Sequence, residues 1–341
     1  MATCCYSSSD TDLQQAAQLL QAGKLVAFPT ETVYGLGALA LQPACLKRLY
    51  AAKRRPSNNP VIVHVHTAAQ AQALCSNSPM QQQRFERLAA LFWPGPLTLV
   101  CVKSPCVPIE ATAGSAKVAV RISSHAIAQR LLQLVGQPLA APSANASSRV
   151  SPTCAQHVLT TLAERIDAVI DAGPCAVGVE STVVDITTPT ATLLRPGAIG
   201  QQQLSHALQQ PVLQRQPPPA HQPQTADSPG LLGKHYAPNI AHITLANVQQ
   251  MQQAWHNPNS AMLLQQSSAH TLQQQLGEPS AHIRLLHNYL PQRAQQLYAC
   301  LHELEQLAPS RLLIEQELVQ TNEQGLAAAI ADRLRRACRQ P

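Results

Sequence analysis

A proline-rich stretch between residues 211 and 230 limits the fold of this 341-residue chain more than any other feature. Its prolines lie among glutamine and alanine, at Pro211, Pro217, Pro218, Pro219, Pro223 and Pro229. Proline restricts its own backbone and has no amide hydrogen to donate, so such a run is extended, semi-rigid and unable to supply a core. The sequence therefore predicts two domains, residues 1–205 and 240–341, joined by a linker of residues 206–239.

Short apolar runs and amphipathic segments alternate before the linker, which predicts an α/β domain built on a large twisted sheet. Helices are expected through Ala22 after an N-cap at Thr11 or Asp12, from Pro43 onward, from Gln81 to Phe92 and after an N-cap at Ser151. Residues 29–35 are expected to form a loop, and the pattern breaks near Gln201. The predicted strands are Lys24–Phe28, Val61–Val65, Leu97–Val102, Val118–Ile122, Pro138–Ala141, Ala168–Asp171, Ser181–Ile186 and Thr192–Leu194.

Strands and helices alternate regularly after the linker, which predicts a small parallel sheet covered by helices. The longest helix is expected near Pro291–Leu307. No G-x-G-x-x-G or P-loop pattern marks this part as a nucleotide site. The predicted strands are His242–Leu245, Ala261–Leu264, His282–Leu286 and Arg311–Glu315.

Charge and cysteine usage narrow the class of protein. The formal net charge of +6 suits an anionic substrate or a transient nucleic-acid partner, but it is modest for a dedicated nucleic-acid binder. The ten cysteines form no C-x-x-C pair, so neither a zinc site nor a disulfide framework is expected. No apolar run approaches ~18 residues and the N-terminus has no apolar core of a signal peptide. We therefore expect a cytoplasmic protein with no membrane contact.

The segment Lys53-Arg54-Arg55-Pro56, followed by Asn59-Pro60, is the first candidate site. Lysine, arginine and asparagine beside a turn supply the donors that phosphate oxygens need. The same cations would also be favourable at a solvated helix C-terminus, so the segment alone leaves both interpretations open.

Other candidates follow strands. Ser143 and Asn145 lie after the strand Pro138–Ala141, at a position where ligands bind in α/β sheets, although a plain turn explains them equally well. Arg121 and Arg195 end apolar runs, where a cation needs an anionic partner from the protein or a ligand. Ser181 can line a pocket or simply open a strand. His64 lies between two valines and can face either the core or a pocket.

These weak signals occur in one order along the chain, and in combination they resemble the Sua5/YrdC/YciO family of threonylcarbamoyl-AMP synthases. The linker and the C-terminal segment are similar to those of its long, Sua5-type members. The matching segments are residues 28–37 (FPTETVYGLG), 53–56 (KRRP), 59–60 (NP), 93–98 (WPGPLT), 120–121 (VR), 141–145 (APSAN), 151–153 (SPT), 179–183 (VESTV), 194–197 (LRPG), 228–230 (SPG), 235–238 (HYAP) and 325–334 (GLAAAIADRL).

The resemblance implies a YrdC-like open sheet with a concave active-site cavity and a Rossmann-like C-terminal domain. It also implies an enzyme, a nucleotidyltransferase that joins L-threonine, bicarbonate or CO2, and ATP into threonylcarbamoyl-adenylate and pyrophosphate. A separate transferase machinery then modifies tRNA to threonylcarbamoyladenosine, with a transient tRNA contact expected. Mg²⁺ is expected with ATP, without a protein metal site.

Position by position, the resemblance assigns two sets of ligands. Lys53 and Arg55 are expected to act in catalysis, and Tyr236 on the linker to close over the nucleotide as part of a lid. The expected threonine contacts are Thr32, His64, Arg121, Ala141 and Ser181. The expected ATP contacts are Arg55, Asn59, Ser143, Asn145, Ser151, Arg195 and Tyr236.

Two alternatives compete with the synthase. The concave basic face could bind double-stranded RNA or tRNA without catalysis, although aromatic residues make up only 3% and supply few stacking platforms. The chain could also resemble a carbamoyl-transfer factor of hydrogenase maturation, but the absent C-x-x-C pairs argue against the zinc-finger parts of those proteins. The synthase is the favoured hypothesis.

Overall fold

The computed structural model describes residues 2–215 and 236–338, and these form two sheets covered by helices. Residues 216–235, which include most of the predicted linker and the matching segment 228–230, lie outside the described residues. The first sheet is mixed and eleven-stranded, and the second is parallel and four-stranded. The predicted α/β class with a large and a small sheet is confirmed.

The large sheet has the strand order β1-β8-β2-β3-β7-β4-β6-β5-β9-β10-β11. Most of its strands are buried on both faces, as expected when helices cover a sheet on both sides. Its strands are β1 (Cys4–Tyr6), β2 (Val26–Phe28), β3 (Gly35–Leu39), β4 (Ile62–His64), β5 (Leu97–Val102), β6 (Lys117–Arg121), β7 (Leu139–Ala140), β8 (Ala168–Ile170), β9 (Thr182–Asp185), β10 (Thr192–Arg195) and β11 (Leu213–Gln214).

The helices of this domain bury a leucine- and alanine-rich face against the sheet. Their termini follow ordinary capping rules, with Ser9 accepting a hydrogen bond from Asp12 N before the first helix and Gly136 ending the sixth in the left-handed region. The helices are α1 (Asp10–Gln21), α2 (Pro43–Lys53), α3 (Ala68–Ala73), α4 (Pro79–Phe92), α5 (Ile109–Thr112), α6 (Ala126–Val135), α7 (Ala155–Leu162) and α8 (Gln201–Leu208).

The second sheet has the strand order β12-β15-β13-β14 and an apolar core on each face. Its strands are β12 (His242–Ala246), β13 (Ser260–Gln265), β14 (His282–Leu286) and β15 (Arg311–Glu315). Its helices are α9 (Val248–Ala254), α10 (Gln266–Leu276), α11 (Leu290–Gln306) and α12 (Leu326–Ala337), with a short 3-10 turn at Gln316–Leu318. The strand–helix alternation expected after the linker is confirmed.

Three sequence-based expectations were wrong. Residues 35–39 form β3, a strand that was not predicted, so Gly35 belongs to this strand and not to the loop of residues 29–35; two glycines weaken the strand signal in the sequence although all five residues are buried. Ser151 does not cap a helix: α7 begins only at Ala155, and the Ser151 hydroxyl donates to Glu180 instead. Regular structure does not stop near Gln201, since α8 follows and β11 pairs with β10.

The expected boundary at residue 205 therefore falls inside α8, and the large sheet extends to Gln214. The division into the three segments 1–205, 206–239 and 240–341 stays a prediction. None of the helices in residues 2–215 and 236–338 is long and apolar enough to cross a membrane.

The two domains share one apolar contact. Val33, Val150 and Val179 of the first domain pack into the same buried cluster as Leu297 and Tyr298 of α11. Gly178 (φ +80°) makes the approach close, because a Cβ there would lie 2.4 Å from the Gln295 Cα. Only glycine fits such a position, so the loop before Glu180 lies directly on α11.

Candidate active site

Strand ends meet at one edge of the large sheet and place the site there. His64 and Arg121 are the last residues of the parallel strands β4 and β6 and are direct partners in the register. Thr98, near the start of β5, pairs with Arg121 from the other side. Arg195 ends β10 opposite Val183 at the start of β9. Side chains that are far apart in sequence are thus brought to one edge, as is common for ligand sites in α/β sheets.

A cavity of about 510 Å³, counting space open to solvent, lies at this edge. Nine of the predicted site residues line it: Thr32, Arg55, His64, Arg121, Ala141, Ser143, Ser181, Arg195 and Tyr236. The remaining lining residues are Thr30, Val33, Gly35, Ile62, Pro142 and Glu180. The predicted threonine contacts and most predicted ATP contacts therefore share one cavity.

Arg121 lines the cavity as one half of a buried ion pair. Its Nη2 lies 2.8 Å from Oε1 of Glu31, its Nη1 donates to Thr32 Oγ1 at 2.9 Å, and its Nε donates to the Gly95 carbonyl. Burial by itself would raise the pKa of Glu31, but Arg121 and a hydrogen bond from Ser123 hold it at about 2. Glu31 is thus a carboxylate at neutral pH and fixes the plane of the guanidinium.

His64 lines the same end of the cavity as a neutral imidazole. It is 2% exposed, and burial followed by repulsion from Arg121 lowers its pKa to about 3. Phe28 contacts the ring edge-to-face, and Nδ1 has no hydrogen-bond partner among the described residues. A neutral ring with an unused nitrogen can orient a polar ligand but adds no charge.

Arg55 and Arg195 bring further positive charge to the cavity. Arg55 is held through Nε and Nη2 by the carbonyls of Asn59 and Pro60 and by the Asn59 Oδ1 atom at 2.6 Å. Arg195 donates from Nε to the Ser181 carbonyl and from Nη2 to the Ser181 hydroxyl. Burial lowers the pKa of Arg55 to about 10, so its guanidinium remains charged at neutral pH. Two fixed cations favour a polyanionic ligand.

Close packing explains how Arg195 meets Ser181. Gly197 follows Arg195 and lies against the start of β9, where a Cβ would come within 2.2 Å of the Thr182 amide nitrogen. The Thr182 hydroxyl donates to the Ile199 carbonyl and ties the same loop down. The loop is therefore fixed from both sides, and the arginine side chain with it.

Four predicted site residues support the cavity from behind and do not line it. Lys53 donates through Nζ to the carbonyls of Ser143 and Asn145, and burial followed by repulsion from Arg55 lowers its pKa well below the ordinary value. Asn59 holds Arg55, and Asn145 donates to the carbonyls of neighbouring loop residues. The Ser151 hydroxyl donates to Glu180 at 2.6 Å. Their assignment as ligand contacts stays a prediction.

Glu180, a cavity residue that the sequence did not single out, is bound by the second domain. Its carboxylate accepts hydrogen bonds from Tyr298 OH at 2.9 Å and from Arg333 Nε at 2.9 Å. Burial would raise its pKa, whereas Arg333 and then Arg195 hold it at about 2. Glu31 and Glu180 both stand inside segments that resemble the family, but nothing in the sequence reveals which cation each would meet.

The described residues hold no group of three or more His, Cys, Asp or Glu side chains placed to bind a metal ion. The carboxylates nearest the cavity, Glu31 and Glu180, are each engaged by an arginine. A divalent cation held by the protein alone does not fit these donors, because its oxygen ligands would have to leave their arginines.

Comparison with known proteins identifies both halves of the chain. Residues 18–197 match the model of the Sua5/YciO/YrdC family, which carries the description "Telomere recombination". Residues 199–338 match the model described as "Threonylcarbamoyl-AMP synthase, C-terminal domain". Together the two models cover nearly all of the chain.

Several curated relatives bear the name threonylcarbamoyl-AMP synthase, among them proteins from Pyrococcus abyssi and Bacillus subtilis. The one from Pyrococcus abyssi is 44% identical over 233 residues, which cover 67% of this chain and 66% of the relative. The one from Bacillus subtilis is 42% identical over 243 residues, which cover 68% of this chain and 66% of the relative. The aligned segments thus span just under two thirds of these relatives.

Structural similarity extends over the whole molecule. A crystal structure of P. abyssi Sua5 complexed with L-threonine superposes with a TM-score of 0.87 at 33% identity. The superposition covers 99% of this chain and 98% of that one, so both domains and their arrangement are alike.

Proposed function

Because this chain belongs to the Sua5/YciO/YrdC family and its second half to the C-terminal domain of threonylcarbamoyl-AMP synthases, we propose that it synthesises threonylcarbamoyl-AMP. The substrates are L-threonine, bicarbonate or CO2, and ATP, and the other product is pyrophosphate. The observation that carries the proposal is the single cavity that presents Arg121 with Thr32 and His64, together with Arg55 and Arg195.

The reaction needs two bond-forming steps. The threonine amine attacks CO2 and loses a proton, which gives an N-carboxylate; when bicarbonate is the source, water is released as well. A carboxylate oxygen then attacks the α-phosphorus of ATP, and the bond to the β-phosphate oxygen breaks to release pyrophosphate. Both steps depend on holding three small reactants in line and on balancing phosphate charge.

The Arg121 end of the cavity suits the amino acid. Arg121 binds the threonine carboxylate, while Glu31 prevents the guanidinium from rotating away. The hydroxyls of Thr32 and Ser181 and the backbone of Ala141 offer further polar contacts. His64 stays neutral because its pKa is near 3, so it orients the substrate and does not compete for the carboxylate.

The Arg55 and Arg195 end suits the triphosphate. Both guanidinium groups are fixed by backbone carbonyls before any ligand arrives, so little reorganisation is needed when negative charge develops on the leaving pyrophosphate. Ser143 and Tyr236 line the cavity beside them. Lys53 acts here through the loop of Ser143 and Asn145 that it holds, and Asn59 and Ser151 act through Arg55 and Glu180.

Magnesium enters this proposal as part of the substrate, MgATP. The phosphate oxygens and water supply its ligands, since the cavity carboxylates are occupied by arginines. The adenylate then passes to the transferase machinery that modifies tRNA, and this machinery is a partner of the chain. The net charge of +6 favours a brief contact with tRNA as well.

Pyrophosphate release tests the function. The purified protein is incubated with MgATP and bicarbonate, with and without L-threonine, and L-serine serves as the matched amino acid. We expect release that depends on L-threonine. A folded protein that binds tRNA but releases no threonine-dependent pyrophosphate would overturn the proposal in favour of a non-catalytic RNA-binding module.

A further inference from the structure

The second domain reaches the cavity through Glu180. This residue lines the cavity, and its carboxylate is held by Tyr298 of α11 and Arg333 of α12. Gly178 makes the contact possible, because it lets the loop that carries Glu180 lie against the backbone of α11. One side chain of the proposed active site is thus fixed by groups more than a hundred residues away.

Arg333 touches two cavity residues at once. Its Nε donates to Glu180 Oε2 at 2.9 Å, and its guanidinium lies 5.2 Å from the centre of the Tyr236 ring. The Tyr236 ring also stacks on Tyr298, with centroids 6.1 Å apart. Arg333 is 1% exposed, and its second anionic neighbour is Asp332. Such a buried guanidinium keeps its geometry, since any rotation would leave charge unpaired.

Glu180 and Arg195 line the same cavity, and this creates a competition. A carboxylate there can pair either with Arg333 behind it or with Arg195 beside it. The second choice would occupy an arginine that the triphosphate needs. The field of Arg195 already acts on Glu180, because it contributes to the low pKa of that carboxyl, after burial and Arg333. Arg333 therefore opposes Arg195 in attracting the carboxylate, together with the hydrogen bonds that Tyr298 and Ser151 donate to it.

We propose that Arg333 is a positioning residue for ATP: it holds Glu180 back from Arg195 and so keeps the phosphate end of the cavity open. This inference rests on the proposed synthase function and gives the second domain a defined part in it. It also predicts a selective effect, because the partners of Arg333 among the described residues are Glu180, Asp332 and Tyr236, and not Arg121, Thr32 or His64.

The test compares Arg333→Gln with the double variant Glu180→Gln/Arg333→Gln. Affinity for MgATP is measured by calorimetry, which requires no turnover, and the KM values for ATP and L-threonine are measured by pyrophosphate release. We expect Arg333→Gln to weaken ATP binding about tenfold or more and to leave the KM for threonine within about twofold. The double variant removes the competing charge as well, so it should recover ATP affinity to within about threefold of wild type.

Glu305→Gln is the matched control. It removes the ion pair between Arg149 and Glu305, which also joins the two domains but touches neither Glu180 nor Tyr236. We expect ATP affinity close to that of the wild type. The neutral double variant leaves no buried unpaired charge, and its thermal unfolding shows whether it is folded.

Two results would overturn the inference. One is an Arg333→Gln variant that binds ATP as tightly as wild type. The other is a folded double variant as weak as the single one, since a purely structural loss would persist without the charge. Failure of the proposed function looks different: wild-type protein would bind ATP and release no threonine-dependent pyrophosphate.

Discussion

Two buried arginine–carboxylate pairs border the cavity, and they present opposite partners to it. In the pair within the first domain, Arg121 lines the cavity and Glu31 lies behind it. In the pair between the domains, Glu180 lines the cavity and Arg333 lies behind it. Both carboxyl groups have a pKa of about 2, so both pairs are fully charged at neutral pH.

The two ion pairs therefore have different roles, although both consist of an arginine and a carboxylate. The Glu31–Arg121 pair supplies a cation whose orientation is fixed, which suits recognition of a carboxylate. The Glu180–Arg333 pair withdraws an anion from a region that must accept phosphate. Because the second pair joins two domains, the charge balance at the phosphate end of the cavity depends on domain packing, whereas the pair at the amino-acid end lies within the first domain.

Arg121→Gln should have the largest effect. It leaves Glu31 buried without its cation, so we expect a loss of about 3–5 kcal/mol in the free energy of unfolding together with loss of threonine-dependent activity. Denaturant unfolding measures the first and pyrophosphate release the second. The double variant Glu31→Gln/Arg121→Gln should recover most of the free energy of unfolding but not the activity. An Arg121→Gln variant as stable as wild type would contradict a buried ion pair between Glu31 and Arg121.

Gly178→Ala should disrupt the packing of the Gly178 loop against α11, which places Glu180 next to Arg333. The new methyl group would lie 2.4 Å from the Gln295 Cα, and overpacking of this kind costs about 1–3 kcal/mol. The positive φ adds about 1 kcal/mol. Gly173→Ala is the control, since its φ is +77° but nothing lies within 4 Å of its added Cβ. Equal thermal unfolding of the two variants would contradict close contact between loop and helix.

Acidification should weaken the domain interface through His302. This side chain is 3% exposed, stacks on His157 and lies 3.2 Å from the Ser151 carbonyl; burial, followed by repulsion from His157, lowers its pKa to about 3. A depressed histidine pKa means that the unfolded chain binds the proton first, so stability is complete above pH 6.5 and is lost as pH falls. At pH 5 the loss is about 2 kcal/mol.

His302→Gln should remove that part of the pH dependence, as measured by denaturant unfolding at pH 7 and pH 5. The exposed His270 offers a matched control, and His270→Gln should unfold with the wild-type pH dependence. A His302→Gln variant that still loses the same free energy between the two pH values would show that another group is responsible.

The smallest effect is expected for Arg284→Ala. Arg284 pairs with Glu303 on the surface of the second domain, where both side chains are more than a third exposed. Solvent screens such a pair, so its removal should change the free energy of unfolding by less than about 1 kcal/mol and leave pyrophosphate release unchanged. If Arg284→Ala lowered the free energy of unfolding as much as Arg121→Gln does, burial could not explain why the Glu31–Arg121 pair contributes more to stability than the Arg284–Glu303 pair.

Much of the fold could be predicted because buried strands leave continuous apolar runs. The bounds of β5, β14 and β15 agree with the sequence pattern residue for residue. β3 was missed because two of its five residues are glycine, and β1 because three residues at a sheet edge, two of them exposed, give no periodic signal. Tertiary pairing, which local sequence does not encode, forms both strands.

The candidate site also contains residues that could be assigned from the sequence and residues that could not. His64 and Arg121 could be assigned to the site only through the resemblance to the family, and the structure brings them together because they are partners in the register of β4 and β6. The carboxylate partners of the site arginines could not be assigned, since a charge pattern does not say which carboxylate will meet which arginine. Arg333 lies 153 residues from Glu180, and only the packing of two domains makes them neighbours.

Product identity tests the central claim most directly. The protein is incubated with MgATP, L-threonine and ¹³C-labelled bicarbonate, and the mixture is analysed by mass spectrometry. The account predicts an adenylate that contains threonine and one labelled carbon, one mass unit heavier than the product from unlabelled bicarbonate. ATP that stays intact, or breaks down without a threonine-containing adenylate while the protein is folded, would contradict it.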